Sequence, residues 1–365
     1  MDRYAILIAS GSVAPSNRVI CQPLQAPQND IGLMALLLVG RFGFRPQDIL
    51  LVGAQAPVAS ELRRHGRFRF APTAYATKNA MRAGFDWLQQ AVTSPRDTAV
   101  VYYSGHGTQI SDRTRVELDV KGGVGMGDDQ AIVPYDTRSE NDLIIDDEVS
   151  ERLARLRTRR LTFITDACFG GGLIAAPVGG GRESEPSTEM FPVEGSKSLL
   201  MLDRPPGAQI PRSVARKLTF VNARRTPCTL LASALFDEPI RSRRWGRGGP
   251  AFSPFTLALC RFLWRTPGSV LSSRIEPVLR DWTRALGGSA QTPIVIPHPA
   301  AGGGELIVAT PTYRPERITA QARGRGAPLP VGRLVLAAVP PVPTLSVDVP
   351  PGRHLRVSWL SASLD

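Results

Sequence analysis

Two short stretches carry the side chains best suited to chemistry: Tyr102-Tyr103-Ser104-Gly105-His106-Gly107 and Thr165-Asp166-Ala167-Cys168-Phe169-Gly170-Gly171-Gly172. Each ends an apolar, β-type run in a glycine-rich turn and delivers one reactive group to that turn. A cysteine attacks as its thiolate, and an imidazole can take the thiol proton or pair with the anion. His106 and Cys168 stand 62 residues apart in the chain, so only the fold can join them, as adjacent parallel strands would. The surrounding glycines let a substrate backbone approach and leave amide N–H groups to face a developing oxyanion. Taken singly, each residue has a bland reading, a core cysteine or a strand-end histidine. Their matched settings point to a joint role.

The elements that must position this pair alternate between β-type runs and helical stretches. That pattern predicts an α/β fold with a mostly parallel sheet of six strands and helices on both faces. The expected strands are 4–9, 48–52, 98–103, 161–165, 229–234 and 292–296. The expected helices are Asp30–Phe42, a segment capped by Thr77 and running to about Val92, one from Asp146 or Asp147 to about Leu156, Phe252–Trp264, and Ile275–Leu286. Residues 114–135 read as a β excursion over the carboxyl edge of the sheet. His106 and Cys168 both fall just past strand carboxyl ends, where open α/β sheets place their sites.

A main domain is expected over residues 1–309. Within it, residues 177–227 are rich in Gly, Pro, Ser and charge and read as a flexible surface insertion between a large and a small portion. Residues 310–365 read as a Pro-rich connector and a small β module, with a hairpin of Leu345–Val349 and Arg353–Trp359 about the Pro-Pro-Gly-Arg turn.

The chain has 44 Lys+Arg against 32 Asp+Glu, a net charge of +12, but the arginines are spread out. Without a dense basic patch or a reader motif, this argues against a nucleic-acid partner. Its four cysteines, Cys21, Cys168, Cys228 and Cys260, have neither CxxC nor zinc-like spacing, which argues against a disulfide framework. No run approaches the ~20 apolar residues of a membrane span, and the start lacks a signal-peptide pattern. The expectation is a cytoplasmic protein with reduced thiols and no membrane partner.

In order along residues 4–309 stand Asn29-Asp30, Tyr-Ser-Gly-His-Gly (103–107), Asp-Asp-x4-Pro-x-Asp (128–136), Ile145-Asp146-Asp147, Asp166-x-Cys168 and Gln291-Thr292-Pro293. This series resembles the caspase-like cysteine peptidases, specifically the metacaspases and their bacterial relatives. The resemblance implies a caspase-hemoglobinase fold and an endopeptidase acting on proteins or peptides with Arg or Lys before the scissile bond. His106 matches the family's general base and Cys168 its nucleophile, with the amides of Gly107 and Cys168 as oxyanion donors. Asp30, Ser104 and Asp166 match the lining of an acidic primary pocket, which suits a guanidinium. Asp30 could instead cap a helix, and Asp166 could hold a loop amide.

No cofactor is required by the resemblance, but Ca²⁺ is implied as an activator. Asp129, Asp146 and Asp147 match three of its ligands, while the position of a fourth falls on Ala175. Alternatively these aspartates cap a helix and order a loop. Phe169-Gly170-Gly171 replaces the His-Ser-Gly common after the family's nucleophile, a change that bears on loop shape. Basic residues in the insertion, from Arg182 to Arg225, are candidate points of self-processing. The competing reading is a non-catalytic interaction module that binds a partner protein through its C-terminal β module.

Overall fold

The strands of the main sheet owe their places to apolar runs buried on both faces, as parallel strands under helices require. A computed structural model of the chain describes residues 1–11, 13–14, 23–111, 128–167, 190–196, 228–234, 240–245, 249–266, 270, 272–286, 291–296, 335–339 and 342–346. Its strands are β1 (Arg3–Ser10), β2 (Ile49–Val52), β3 (Arg69–Phe70), β4 (Thr98–Gly105), β5 (Gly107–Ser111), β6 (Asp128–Ile132), β7 (Ile144–Ile145), β8 (Arg160–Asp166), β9 (Met190–Ser196), β10 (Cys228–Ala232), β11 (Arg241–Trp245), β12 (Ala251–Phe252), β13 (Ile294–Ile296), β14 (Val335–Val339) and β15 (Val342–Ser346). The α-helices are α1 (Ala26–Phe42), α2 (Val58–His65), α3 (Lys78–Ala91), α4 (Asp146–Ala154), α5 (Pro254–Arg265) and α6 (Ser272–Ala285).

The main sheet has seven strands in the order β13-β10-β8-β4-β1-β2-β3, parallel throughout except for β13 against β10. The expectation was six. The additional strand is β3, whose two residues are too few to show an alternating pattern. Period-2 alternation divides the core. Ala5, Leu7, Val100 and Tyr102 pack on the face covered by α1, α2, α5 and α6. Ile6, Ile8, Val101, Tyr103 and Phe163 pack on the face covered by α3 and α4.

Local sequence explains most helix bounds. Thr77 caps α3, its hydroxyl accepting the Ala80 N–H at 3.2 Å, and acidic residues fill the first turn of α4. Ser253 precedes α5 and Pro254 opens it, a pairing suited to a helix start. Helix α1 starts at Ala26, earlier than expected, with a proline in its first positions. Asp30 therefore lies inside this helix, which excludes the alternative that it is an N-cap. Gly43 ends α1 in the left-handed conformation with φ 66°.

The β excursion begins at Gly107, before the expected 114, as the sheet β5-β6-β7. Within the insertion, β9 pairs antiparallel with β11, which pairs with β12. Part of a segment read as flexible is thus strand, because its Gly, Pro and charge content masked the run around Phe191 and Val193. Near the C-terminus β14 and β15 pair antiparallel. That hairpin lies one run upstream of the expected turn at 350–353, and residues 347–365 lie outside the described ones. Among the described residues, no helix is long and apolar enough to cross a membrane.

Candidate active site

Strand order reverses at the β1/β4 boundary: the chain leaves β1 for β2 and β3 on one side, then returns to β4 and builds outward through β8 and β10 on the other. The carboxyl ends of β1 and β4 therefore flank the crevice where such sheets hold ligands. His106 lies there, buried, directly after β4. Its N–H donates to the Ser10 carbonyl at 3.1 Å, and its carbonyl accepts the Val133 N–H at 3.3 Å. The Ser10 hydroxyl donates to the Val133 carbonyl at 2.6 Å and closes a three-bond ring. The Tyr103 hydroxyl adds a second donor to the His106 carbonyl, at 2.6 Å. A side chain at residue 105 would place its Cβ 2.2 Å from the Ser10 carbonyl oxygen, so only glycine permits this approach.

Gly107 pairs with Ile132 between β5 and β6. The Val133 to His106 bond makes this a non-hydrogen-bonded pair, in which each residue turns its own N–H away from the partner strand. Strand β5 is the outer strand of its sheet, so the Gly107 amide points away from β6 and is not used in that pairing. Cys168, with its amide, lies outside the described residues. The register leading to it is described: Ser104 pairs with Asp166. His106 and Cys168 each follow their paired residue by two positions.

Beneath this edge, Asp30, Ser104 and Asp166 are fully buried. The Ser104 hydroxyl donates to Asp30 Oδ2 at 2.8 Å. Asp30 also accepts the Ser253 N–H on Oδ1 at 3.0 Å and the Ser253 hydroxyl on Oδ2 at 2.6 Å. Asp166 accepts the Thr256 hydroxyl, and Thr256 lies 2.7 Å from the Tyr102 hydroxyl. Neighbouring Asn29 donates to the Ala251 carbonyl at 2.7 Å. The structure thus brings Asp30, Ser104 and Asp166 together and surrounds them with Ser253, Thr256 and Tyr102, which sequence reasoning missed. Ser-Pro-x-Thr at 253–256 was legible only as a helix start, since its partner Asp30 is 223 residues away.

Burial pushes the Tyr102 hydroxyl well above the ordinary tyrosine range, with Asp30 and Asp166 adding to the effect. Burial likewise raises the Cys260 thiol, again with those two carboxylates adding, and pushes Cys228 up to about 12. Neither cysteine has the exposed, electropositive setting of a reactive thiolate.

The expected calcium ligands are described unequally. Asp146 and Asp147 open α4, and Ile145, just before them, pairs with Ala131 of β6, two residues beyond Asp129. The side chain of Asp129 lies outside the described residues. Among the described residues no group of three or more His, Cys, Asp or Glu is placed to hold a metal ion. They do not by themselves form the implied site.

A family model described as "Caspase domain" of the C14 peptidases matches residues 3–298. Metacaspase-1 of Schizosaccharomyces pombe is 30% identical over 177 residues, 48% of this chain and 35% of that protein. Metacaspase-4 of Arabidopsis thaliana is 32% identical over 175 residues, with the same two coverages. The chain thus spans about a third of the length of these curated relatives. Among solved structures, protein GSU0716 of Geobacter sulfurreducens covers 85% of this chain and 100% of its own, with TM-score 0.50 and 16% identity, a likeness of fold alone.

Proposed function

The chain belongs to the caspase-domain family of C14 peptidases, and we propose that it is a cysteine endopeptidase cleaving after arginine or lysine. The observation that carries this reading is the buried acid pair, Asp30 and Asp166, beneath the same strand ends that lead to His106 and Cys168. Removing carboxylates from water is expensive unless donors or a cation compensate. A guanidinium fork or an ammonium entering from the sheet edge supplies the cation, and the arginine fork adds directional bonds.

In this reading the Cys168 sulfur attacks the carbonyl carbon of the peptide bond while His106 takes the thiol proton. The negative oxygen of the tetrahedral intermediate faces the amides of Gly107 and Cys168. His106 returns its proton to the leaving amine, the C–N bond breaks, and a thioester remains. Water then attacks that thioester, giving its proton to His106, and the acid departs as the thiol is restored.

Fluorogenic peptides differing only in the residue before the scissile bond test the assignment. Cleavage after Arg and Lys, absent in Cys168→Ala, is expected; cleavage after Asp alone would remove it. Calcium would act as an activator and is assigned no step in the reaction; the same panel with Ca²⁺ and with a chelator decides its role. Self-processing after a basic residue of the 177–227 insertion is the companion expectation. Intact mass after incubation should fall for the wild type and hold for Cys168→Ala, and equal masses would exclude it.

A further inference from the structure

The two carboxylates of the proposed pocket precede the insertion in sequence, whereas the groups that hold them come from both sides of it. Ser253 immediately precedes α5, with its hydroxyl turned to Asp30 rather than to the helix, and Thr256 sits in the first turn. Ser253 gives Asp30 two donors, its N–H and its hydroxyl, and Thr256 gives Asp166 a third hydrogen. Because the Thr256 proton is committed to Asp166, the phenol must supply the proton in the 2.7 Å contact between Tyr102 and Thr256. Burial, reinforced by Asp30 and Asp166, keeps that phenol protonated. The sequence Tyr102 to Thr256 to Asp166 therefore runs in one direction, each donor polarising the next.

The segment that carries these supports is itself anchored to α1. Asn29 donates to the Ala251 carbonyl at 2.7 Å. The Arg244 guanidinium donates to Gln25 at 2.8 Å and to the Gly249 carbonyl at 3.1 Å, tying the strand before β12 to the residue before α1. The Asn29-Asp30 pair thus grips 251–253 with both side chains.

We propose that Ser253 and Thr256, with Tyr102 behind Thr256, are the positioning residues that set primary specificity by fixing Asp30 and Asp166 to receive a basic side chain. The inference rests on the basic-residue reading above and names what that pocket needs. The three act through the aspartates, without touching substrate. A carboxylate that loses such a donor can rotate toward other groups, and its directional pull on a guanidinium weakens. The acidic pocket is then composite, complete only while 251–256 is docked against α1 and β8.

The test compares Thr256→Val, which keeps shape and loses the hydroxyl, with Tyr102→Phe and with Thr256→Ser as the rescue. Each is assayed on matched peptides carrying arginine or its neutral isostere citrulline before the scissile bond. Thr256→Val, which removes the bonds to both Asp166 and Tyr102, is expected to raise KM for the arginyl peptide about tenfold, and Tyr102→Phe, which removes one, about threefold. In both, kcat should move less than KM, citrulline cleavage should change little, and Thr256→Ser should restore the arginyl KM. A role in folding alone would instead depress cleavage of both peptides alike. The inference is overturned if Thr256→Val and Tyr102→Phe keep the wild-type ratio of arginine to citrulline cleavage. Should Thr256→Val fail to fold, Tyr102→Phe, lacking one oxygen, decides the matter alone. A wild type that does not distinguish the two peptides removes the basic-residue reading itself, and this inference with it.

Discussion

On the face covered by α1 and α5, polar side chains are buried at the carboxyl edge of the sheet, with Asp30, Ser104, Asp166 and Ser253 all fully enclosed. On the face covered by α3 and α4, these two helices instead pair charged side chains at the rim. Arg82 makes two 2.8 Å bonds to Glu148, and Arg152 reaches both Glu148 at 3.0 Å and Asp86 at 2.8 Å. Arg82 and Asp86 remain 39% and 59% exposed, so solvent screens these pairs. Exposed pairs contribute at most about 1 kcal/mol each, whereas a buried carboxylate deprived of its donors loses far more. A fold keeps such buried groups at a cost in stability, and here they stand beside the candidate catalytic histidine. On the proposed reading, the difference separates polar groups that serve chemistry from those that help two helices pack.

Substitutions in the buried polar edge and in the rim pairs should therefore separate activity from stability. The largest effects belong to the reacting groups: Cys168→Ala should abolish peptide cleavage, and His106→Ala should lower kcat by about a thousandfold, both measured with an arginyl fluorogenic substrate. Next comes the charge of the pocket. Asp30→Asn and Asp166→Asn should each raise KM for arginyl peptides by roughly ten- to a hundredfold, the worth of a charge-assisted bond. Comparable KM values for wild type and both variants would break the link between burial and specificity.

Smaller again is the support of the histidine backbone. Tyr103→Phe removes the 2.6 Å donor to the His106 carbonyl and should lower kcat about fivefold with KM held. An unchanged kcat would show that the ring through Ser10 and Val133 suffices. The smallest expected effect lies in the rim pairs between α3 and α4. Burial alone would raise the Glu148 carboxyl, but the bonds from Arg82 and Arg152 outweigh it and hold it below its ordinary value. A lowered folded-state value stabilises above the unfolded one, so this contribution should fade as pH falls from 4.5 through the lowered value. Glu148→Gln should cost about 1 kcal/mol or less in a denaturation titration at neutral pH and leave kcat/KM unchanged.

The sequence was most informative where one residue decides a local event. Thr77 marked a helix start, alternating apolar runs marked six strands, and Gly105 and Gly107 marked the turns that flank His106. It was least informative where partners are remote. Ser253 and Thr256 carry an ordinary helix-start pattern, and nothing in it names Asp30 or Asp166 as their acceptors. Helix α1 begins early because Pro27 suits a first turn, a signal overshadowed by the more conspicuous Asn29-Asp30. Strand β9 was hidden by the composition around it, since pairing with β11 rather than local propensity holds it in place. Proximity of Asp30, Ser104 and Asp166 could be anticipated from ordered motifs; their supports required coordinates.

In the proposed function, His106 and Cys168 cleave peptide bonds selected by a buried acidic pocket. The most direct test is kcat/KM on four matched peptides with arginine, lysine, citrulline or aspartate before the scissile bond, run on the wild type and on Cys168→Ala. Cleavage after arginine and lysine is expected, with little after citrulline or aspartate and none by the variant. Cleavage confined to aspartate, or equal cleavage by Cys168→Ala, would contradict that function.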